Sequence, residues 1–481
     1  MNIRTIRLHK KRIKNNRITE ILSLLTILLM IAPTISASAV LKPTNINWKN
    51  YPYHPPGTDI VFPTDEGSHD EKYQIEWWYA NFHLVGQSTG NEYGSFVAFY
   101  QIKTDICENQ EIRLFSISDL ATQETYTNAK IGTLLASTDH LDLTLKNINN
   151  DNENTDKISI LAVQGTCIQT NQTKTTMTSM SQTTMKSTSK SCSTQSIPAN
   201  IQGTNGSGAN ELVTYDHWYT KTNGNDLLPF QYTLIVGGDC QQDHQPMQLS
   251  IDMDSQKPPL IAGGNGLVTL GKDGFSYYYC LTRLTVIGAI TVHGLSEDVI
   301  GYAWIDHQWG NFSNQNPPPY SLSVSYEWFS IKLDGNREIM VADTWDQETG
   351  EKINQSFSNG MNLLNNDGTL ELLKEYTITP QAFWNDTKDH CVFVEKWHII
   401  ETSKPIDLTV TPVFLDQVMR IAEDYPRIQE YLAKITPGMC FWEGVCTVSG
   451  TIDGVAIQGK AYVELTHRYN DRESKDFSLL G

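Results

Sequence analysis

The sequence predicts an all-β protein built from antiparallel sandwiches or barrels. Asp-Gly turn pairs recur at Asp273-Gly274, Asp334-Gly335, Asp367-Gly368 and Asp453-Gly454, each between strand-like runs. The aromatic share is 10%, with 11 Trp and 21 Tyr, which favours pleated sheets and aromatic-lined cavities over helical bundles. There is no alternation of strand and helix patterns and no phosphate-binding loop. Gly263-Gly264-Asn265-Gly266 lacks a following helical pattern and reads as a turn. A chain of 481 residues exceeds one small core, so two domains are expected.

Taken in order, Arg4, Arg7, Lys10, Lys11, Arg12, Lys14 and Arg17 form a basic lead, and Ile21 to Ile31 is mostly apolar. With the small residues Ala37-Ser38-Ala39 behind it, this reads as a secretory signal peptide over residues 1–39. The apolar run is short for a membrane span, and no later stretch is long enough to cross. Gln74 to Leu84 and Tyr93 to Ile102 read as a hairpin around Thr89-Gly90-Asn91. Between about Thr170 and Asn210 the composition falls to Thr, Ser, Gln, Asn and Met, which cannot build a core and reads as a disordered insertion. Asn147 to Thr155 is a smaller polar insertion. Pro317-Pro318-Pro319 interrupts pairing and marks a break between two domains, roughly 46–314 and 320–481. Leu415 to Ile435 carries two apolar helical stripes separated by Pro426, which predicts two short helices.

The 36 basic and 54 acidic residues give a net charge of −18. Without residues 1–39, which hold seven basic residues and one acidic residue, the balance is −24. So acidic a surface argues against nucleic acid and anionic membranes as partners. The eight cysteines suit an exported chain with some disulfides. Cys440 and Cys446 cannot pair if they share one strand, because six residues of strand span about 20 Å. No CxxC or Cys/His metal spacing appears. Asn-x-Ser/Thr sequons at Asn171, Asn205, Asn311, Asn354 and Asn385 permit glycosylation.

The most informative stretch is Trp304-Ile305-Asp306-His307-Gln308-Trp309-Gly310. In an extended strand, His307 and Trp309 share one face, and Trp304, Asp306 and Gln308 share the other. The Asp-His pair alone says little, since Asp139-His140, Asp216-His217, Asp243-His244 and Asp389-His390 repeat it. The flanking tryptophans and glycine single out the copy at 306.

Several motifs together resemble the carotenoid 1,2-hydratase (CrtC)/AttH family. Phe62-Pro63, Asp65-Glu66-Gly67 and His69 lead into Glu76-Trp77-Trp78-Tyr79. Tyr277-Tyr278-Tyr279 with Arg283-Leu284 follows, and then Gly301 to Gly310. Glu327-Trp328-Phe329, Leu333-Asp334-Gly335 and Glu338-Ile339-Met340 resemble the opening of the family's second domain, and Trp442-Glu443-Gly444 and Gly459 to Leu465 its close. The resemblance implies two tandem lipocalin-like antiparallel barrels with few short helices. It also implicates a His-x-Trp pair in catalysis, matched by His307 and Trp309. A later Tyr/Asp pair of the family has no clean match; Asp343 is the nearest candidate.

These readings define the expected site. His307, Asp306 and Asp343 are the candidate catalytic groups, and Trp309, Trp304, Trp78, Tyr79, Glu76 and Glu327 the candidate ligand-binding ones. Hydrating an isolated alkene needs a strong acid to form a tertiary carbocation. A carboxyl kept protonated by burial supplies the proton, aromatic faces stabilise the cation, and an imidazole orients water. Each group also has a structural reading: Glu76 to Tyr79 as barrel closure, and Asp306, His307 and Trp309 as a buried polar knot. The cluster Asp65, Glu66, His69, Asp70 and Glu71 has the groups to hold a cation, but no metal or cofactor is expected. The expected partner is a hydrophobic small molecule in a barrel or at the barrel junction. The expected activity is of hydratase or isomerase type, with a non-catalytic extracellular carrier or sensor as the alternative.

Overall fold

The computed structural model describes residues 39–41, 47–69, 72–73, 75–102, 111–147, 215–270, 274–311, 324–346, 350–353, 357–420 and 441–466. The readings made for residues 1–38, the polar insertions beyond Asn147, the triple proline and most of the helical stretch lie outside them.

The first half of the chain folds into one large antiparallel sheet. Its strands are β2 (Ile75–Gly86), β3 (Glu92–Ile102), β4 (Glu111–Asp119), β5 (Glu124–Ala136), β6 (Asp142–Asn147), β7 (Tyr215–Asn223), β8 (Asp226–Asp239), β9 (Pro246–Ser255), β10 (Leu260–Ile261), β11 (Leu267–Leu270), β12 (Gly274–Val292) and β13 (Leu295–Asn311). Neighbours from β2 to β9 pair in sequence order, β13 pairs β2, and β12 pairs both β13 and β9. The ring therefore closes, leaving β10 and β11 on the flank of β12. Closure removes the exposed edges that an open sheet would present.

The second sheet contains β14 (Val324–Leu333), β15 (Arg337–Asp346), β16 (Met361–Leu364), β17 (Leu370–Leu373), β18 (Tyr376–Asp386), β19 (Cys391–Glu401), β20 (Ile406–Pro412), β21 (Trp442–Ile452) and β22 (Val455–Leu465). A short β1 (Ala39–Leu41) adds to the free side of β17. The order β1-β17-β16-β15-β14-β22-β21-β20-β19-β18 leaves this sheet as a half-barrel. The architecture is thus two lipocalin-like β domains, and both sheets belong to one compact unit.

The turn chemistry read from the sequence explains the hairpins. Asp453 and Gly454, with φ of 54° and 74°, join β21 to β22, the doubly left-handed geometry of a tight hairpin turn. Gly335 and Asn336 do the same between β14 and β15, with φ of 72° and 57°. Among the described residues there is no α-helix; three-residue 3₁₀ turns stand at Thr64–Glu66, Ala262–Gly264 and Phe357–Asn359. Gly263 and Gly264 sit in such a turn and lead into a strand, as the turn reading required.

Three apolar layers result. One fills the first barrel with Phe82, Trp78, Trp218, Leu234 and Ile305. One fills the half-barrel with Phe329, Ile331, Trp397, Trp442 and Val463. The third lies between the sheets and holds Tyr79, Phe96, Trp304, Trp328, Met340 and Tyr462. Full burial of one large apolar side chain stabilises by roughly 1.5–3 kcal/mol. Strand β13 divides the first and third layers. From Ala303 to Gly310 every residue is buried, because the barrel interior covers one face and the second sheet the other. Toward the Leu295 end no second sheet covers the outer face, and Ile300 and Tyr302 are exposed.

Candidate functional site

The alternation along β13 decides what the central motif can do. His307 and Trp309 face the barrel interior, and Trp304 and Asp306 face the other sheet. The faces fall as the strand period requires, and they separate Asp306 from His307. Trp304 Nε1 donates to Asp306 Oδ1 at 2.8 Å, while His307 pairs with Glu76.

On the inner face, register places His307 between Tyr279 of β12 and Trp78 of β2, and Trp309 between Tyr277 and Glu76. The segment before β2 folds over this end of the barrel. It carries Glu66, only 1% exposed, whose carboxylate accepts from Tyr51 and Tyr232 hydroxyls at 2.8 Å each. Burial pushes Glu66 up to about 7 against those bonds. The same segment delivers His69. Its Nδ1 lies 2.8 Å from Glu76 Oε1, its Nε2 2.9 Å from Asp65 Oδ1, and its backbone N–H donates to Glu76 Oε2 at 2.7 Å.

His307 Nε2 also meets Glu76 Oε1, at 2.8 Å, and Nδ1–H donates to the Asp65 carbonyl at 2.9 Å. With Nδ1 so committed, a proton must lie between Nε2 and the carboxyl. Burial depresses His69, but the bonds to Asp65 and Glu76 outweigh it and raise the imidazole to about 8. Burial likewise opposes ionisation of Glu76, yet the bonds from His307 and His69 hold it below the usual carboxylate range. Burial, partly offset by Glu76, lowers His307. Indoles wall the cluster: Trp309 stacks on His69 with centroids 4.2 Å apart and planes 2° apart, and Trp78 stacks on His307 at 4.7 Å.

The outer face builds a second constellation at the junction. Cys280, Asp306 and Tyr79 form one row across β12, β13 and β2. Opposite it, Trp328, Glu464 and Glu443 form a row across β14, β22 and β21. The Tyr79 hydroxyl crosses the gap and donates to Glu443 Oε2 at 2.9 Å. Trp328 meets Tyr79 and Trp304 edge-on at 5.9 and 6.0 Å. Tyr326 donates to Glu464 Oε1. Burial pushes Asp306 up to about 7 despite bonds from Cys280, Trp304 and Tyr278. Burial raises Glu464 to about 8 and Glu443 well above the usual range, the latter also by the charge of Glu464. Lys332, buried with its ammonium 5.5 Å from the Trp304 ring centre, is lowered to about 7 by burial and by Arg283.

The remaining expected residues lie elsewhere. Glu327 and Asp343 face each other across β14 and β15 and point into the half-barrel. Trp397 Nε1 donates to Glu327 at 3.1 Å, and Lys352 Nζ donates to Asp343 at 2.5 Å. The structure therefore brings His307, Trp309, Trp78 and Glu76 together, brings Asp306, Trp304 and Tyr79 together, and leaves Asp343 and Glu327 apart from both. The sequence places Glu443, Glu464 and Tyr279 only within motifs and does not mark them, or Lys332, as site residues. No local signal marked the two acids: Glu443 shares its strand face with Thr447 and Ser449, and Glu464 shares its face with Gln458 and Lys460, so each fits the polar side of an alternating strand.

Comparison with known proteins bears on the whole arrangement. A family model described as AttH-like matches residues 164–468. A crystal structure from Nitrosomonas europaea, provisionally described as an AttH, superposes with a TM-score of 0.55 at 18% identity, covering 85% of this chain and 97% of that one. Kievitone hydratase from Nectria haematococca superposes with a TM-score of 0.52 at 15% identity, covering 87% of this chain and 98% of that one. No curated protein sequence matches the chain. The likenesses to solved structures establish the fold, and the extent of the family match establishes the lineage: the chain belongs to the AttH-like family.

Proposed function

We propose that this protein binds a hydrophobic, isoprenoid-like or other lipidic molecule at the junction of its two β domains and adds water to it by acid–base chemistry. The observation that carries the reading is Glu443. One carboxyl oxygen accepts from Tyr79 at 2.9 Å, and the other, Oε1, is buried without a hydrogen-bond partner. Burial, and then the charge of Glu464, push this carboxyl well above the usual carboxylate range and favour its protonated form, an acid with an uncommitted oxygen among indole and phenol faces. Protonation of an alkene carbon by Glu443 would leave a carbocation, which Trp328, Trp304 and Tyr79 stabilise through their ring faces. Water adds to the cation and gives its proton back to Glu443, which the first step left as the carboxylate, so the acid is regenerated. The fold-level likeness to a kievitone hydratase agrees with water addition.

The reading includes export. Its support is the basic and apolar leader ending near Ala39 and the disulfide engagement of Cys391. A non-catalytic carrier is the second reading, favoured by the complete burial of the junction acids within an apolar layer.

The test is incubation with prenylated and isoprenoid alkenes in 18O-water, followed by mass spectrometry. The hydratase reading expects one labelled water per product, and a rate lowered roughly 10²–10⁴-fold in Glu443→Gln with ligand binding retained. Saturable binding of these alkenes with no labelled product would replace it with the carrier reading.

A further inference from the structure

On the opposite face of β13 from the junction, we infer a binding site for one divalent transition-metal ion of the zinc class, held by His69, Glu76 and His307. The inference is independent of the proposed reaction. His69 Nδ1, Glu76 Oε1 and His307 Nε2 converge from three separate stretches of the chain and lie within 4.8 Å of one another. Two imidazole nitrogens and one carboxylate oxygen form a set that zinc accepts, with a fourth position left for water.

The strongest support comes from the atoms that do not converge. Ligating histidines characteristically donate their other ring N–H to a carboxylate or a backbone carbonyl, which fixes ring orientation and raises basicity. Both histidines are held that way by one residue. His69 Nε2 lies 2.9 Å from Asp65 Oδ1, and His307 Nδ1 lies 2.9 Å from the Asp65 carbonyl. The second oxygen of Glu76 is engaged as well, by the His69 backbone N–H at 2.7 Å. Every ligand atom is thus aimed inward by a fixed partner behind it. Trp309 stacked on His69 and Trp78 stacked on His307 keep either ring from turning away.

The convergent contacts are 2.8 Å in both cases, the length of bonds bridged by protons. Tetrahedral zinc at about 2.1 Å from each ligand sets the ligand atoms roughly 3.4 Å apart. Loading therefore asks for a separation of about half an ångström and sends the two bridging protons to solvent. His69 is the accessible member, at 12% side-chain exposure against 2% for Glu76 and 0% for His307, so an ion arrives past it.

The test uses the full chain, stripped with a chelator and titrated with Co²⁺ and then Zn²⁺. The site predicts one saturable equivalent, a visible Co²⁺ spectrum of low coordination number, and its loss when zinc displaces cobalt. His69→Gln and Glu76→Gln should each weaken binding at least about 100-fold, and Asp65→Asn about 10- to 100-fold. No saturable equivalent in the wild-type chain, or affinities within about threefold of it in both ligand variants, would overturn the site. Anomalous diffraction from zinc-soaked wild-type crystals decides without a variant: a peak bounded by the three side chains supports the inference, and a hydrogen-bonded knot with no peak there refutes it.

Discussion

Replacing Glu464 by Gln should make the protein more stable in mild alkali, not less. In the folded chain burial raises this carboxyl from 4.5 to about 8. Each tenfold change in proton affinity is worth about 1.4 kcal/mol, so keeping it ionised in place costs roughly 5 kcal/mol. Because the folded form holds the proton more tightly than the unfolded one, the stabilisation is complete below pH 4.5 and is lost as pH rises through about 8. Between pH 5 and 8 this one group should remove about 3–4 kcal/mol of stability. Gln keeps the oxygen that accepts from Tyr326 and has no proton to lose. Urea denaturation of both proteins at pH 5, 6.5 and 8 reads the difference directly. The variant's stability should be flatter across that range. Parallel pH profiles would mean that Glu464 ionises freely in the folded state, and the protonated junction on which the proposed chemistry depends would fall with it.

Further expectations concern the seam between the sheets and the first barrel wall. Glu338 is fully buried between Lys257, 2.5 Å away, and Arg283; Glu338→Ala leaves both cations uncompensated and should cost about 3–5 kcal/mol in denaturant titrations. Tyr79→Phe removes only the hydroxyl that reaches Glu443 and should cost about 1–3 kcal/mol by the same measurement. A Cβ on Gly94 would stand 2.1 Å from Val445 of the other sheet. Gly94→Ala should therefore destabilise by about 1–3 kcal/mol, and Val445→Ala should recover part of that loss in a double-mutant cycle; strict additivity would exclude the contact. Asp216, buried against Arg113 and Lys130, is held below the usual carboxylate range because those cations outweigh burial. Its stabilisation is present above pH ~4 and lost as pH falls, so Asp216→Asn should show a smaller acid-side loss than wild type on a pH-jump melt.

The fold was legible because its local signals agree with its global form. Asp453-Gly454 adopts the turn that the dipeptide favours, and Gln74 to Leu84 with Tyr93 to Ile102 correspond to β2 and β3. The two faces of Trp304 to Trp309 follow from a period of two. What pairs with each face was not legible, since barrel register sets it over long sequence separations. Glu76 lies 231 residues before His307, and Tyr79 lies 364 residues before Glu443. The Asp-His dipeptides illustrate the point. On a strand the two residues point oppositely, so Asp216 binds Arg113 while His217 binds Asp142. Asp343 is near the second domain's opening in sequence, yet its side chain enters a different interior from those of His307 and Asp306.

Strand β13 is a partition wall with a different tenant on each side. Its odd-numbered residues at 305, 307 and 309 furnish one room, and its even-numbered residues at 304 and 306 furnish the other. A single-residue insertion or deletion between Ala303 and Gly310 would exchange the furnishings of both rooms at once, sending Asp306 toward Trp78 and His307 toward Glu443. Point substitutions can remodel either chamber alone, but length changes cannot. Divergence in this stretch is therefore confined to side-chain exchange, and relatives that differ in chemistry should keep its residue count while altering what it carries.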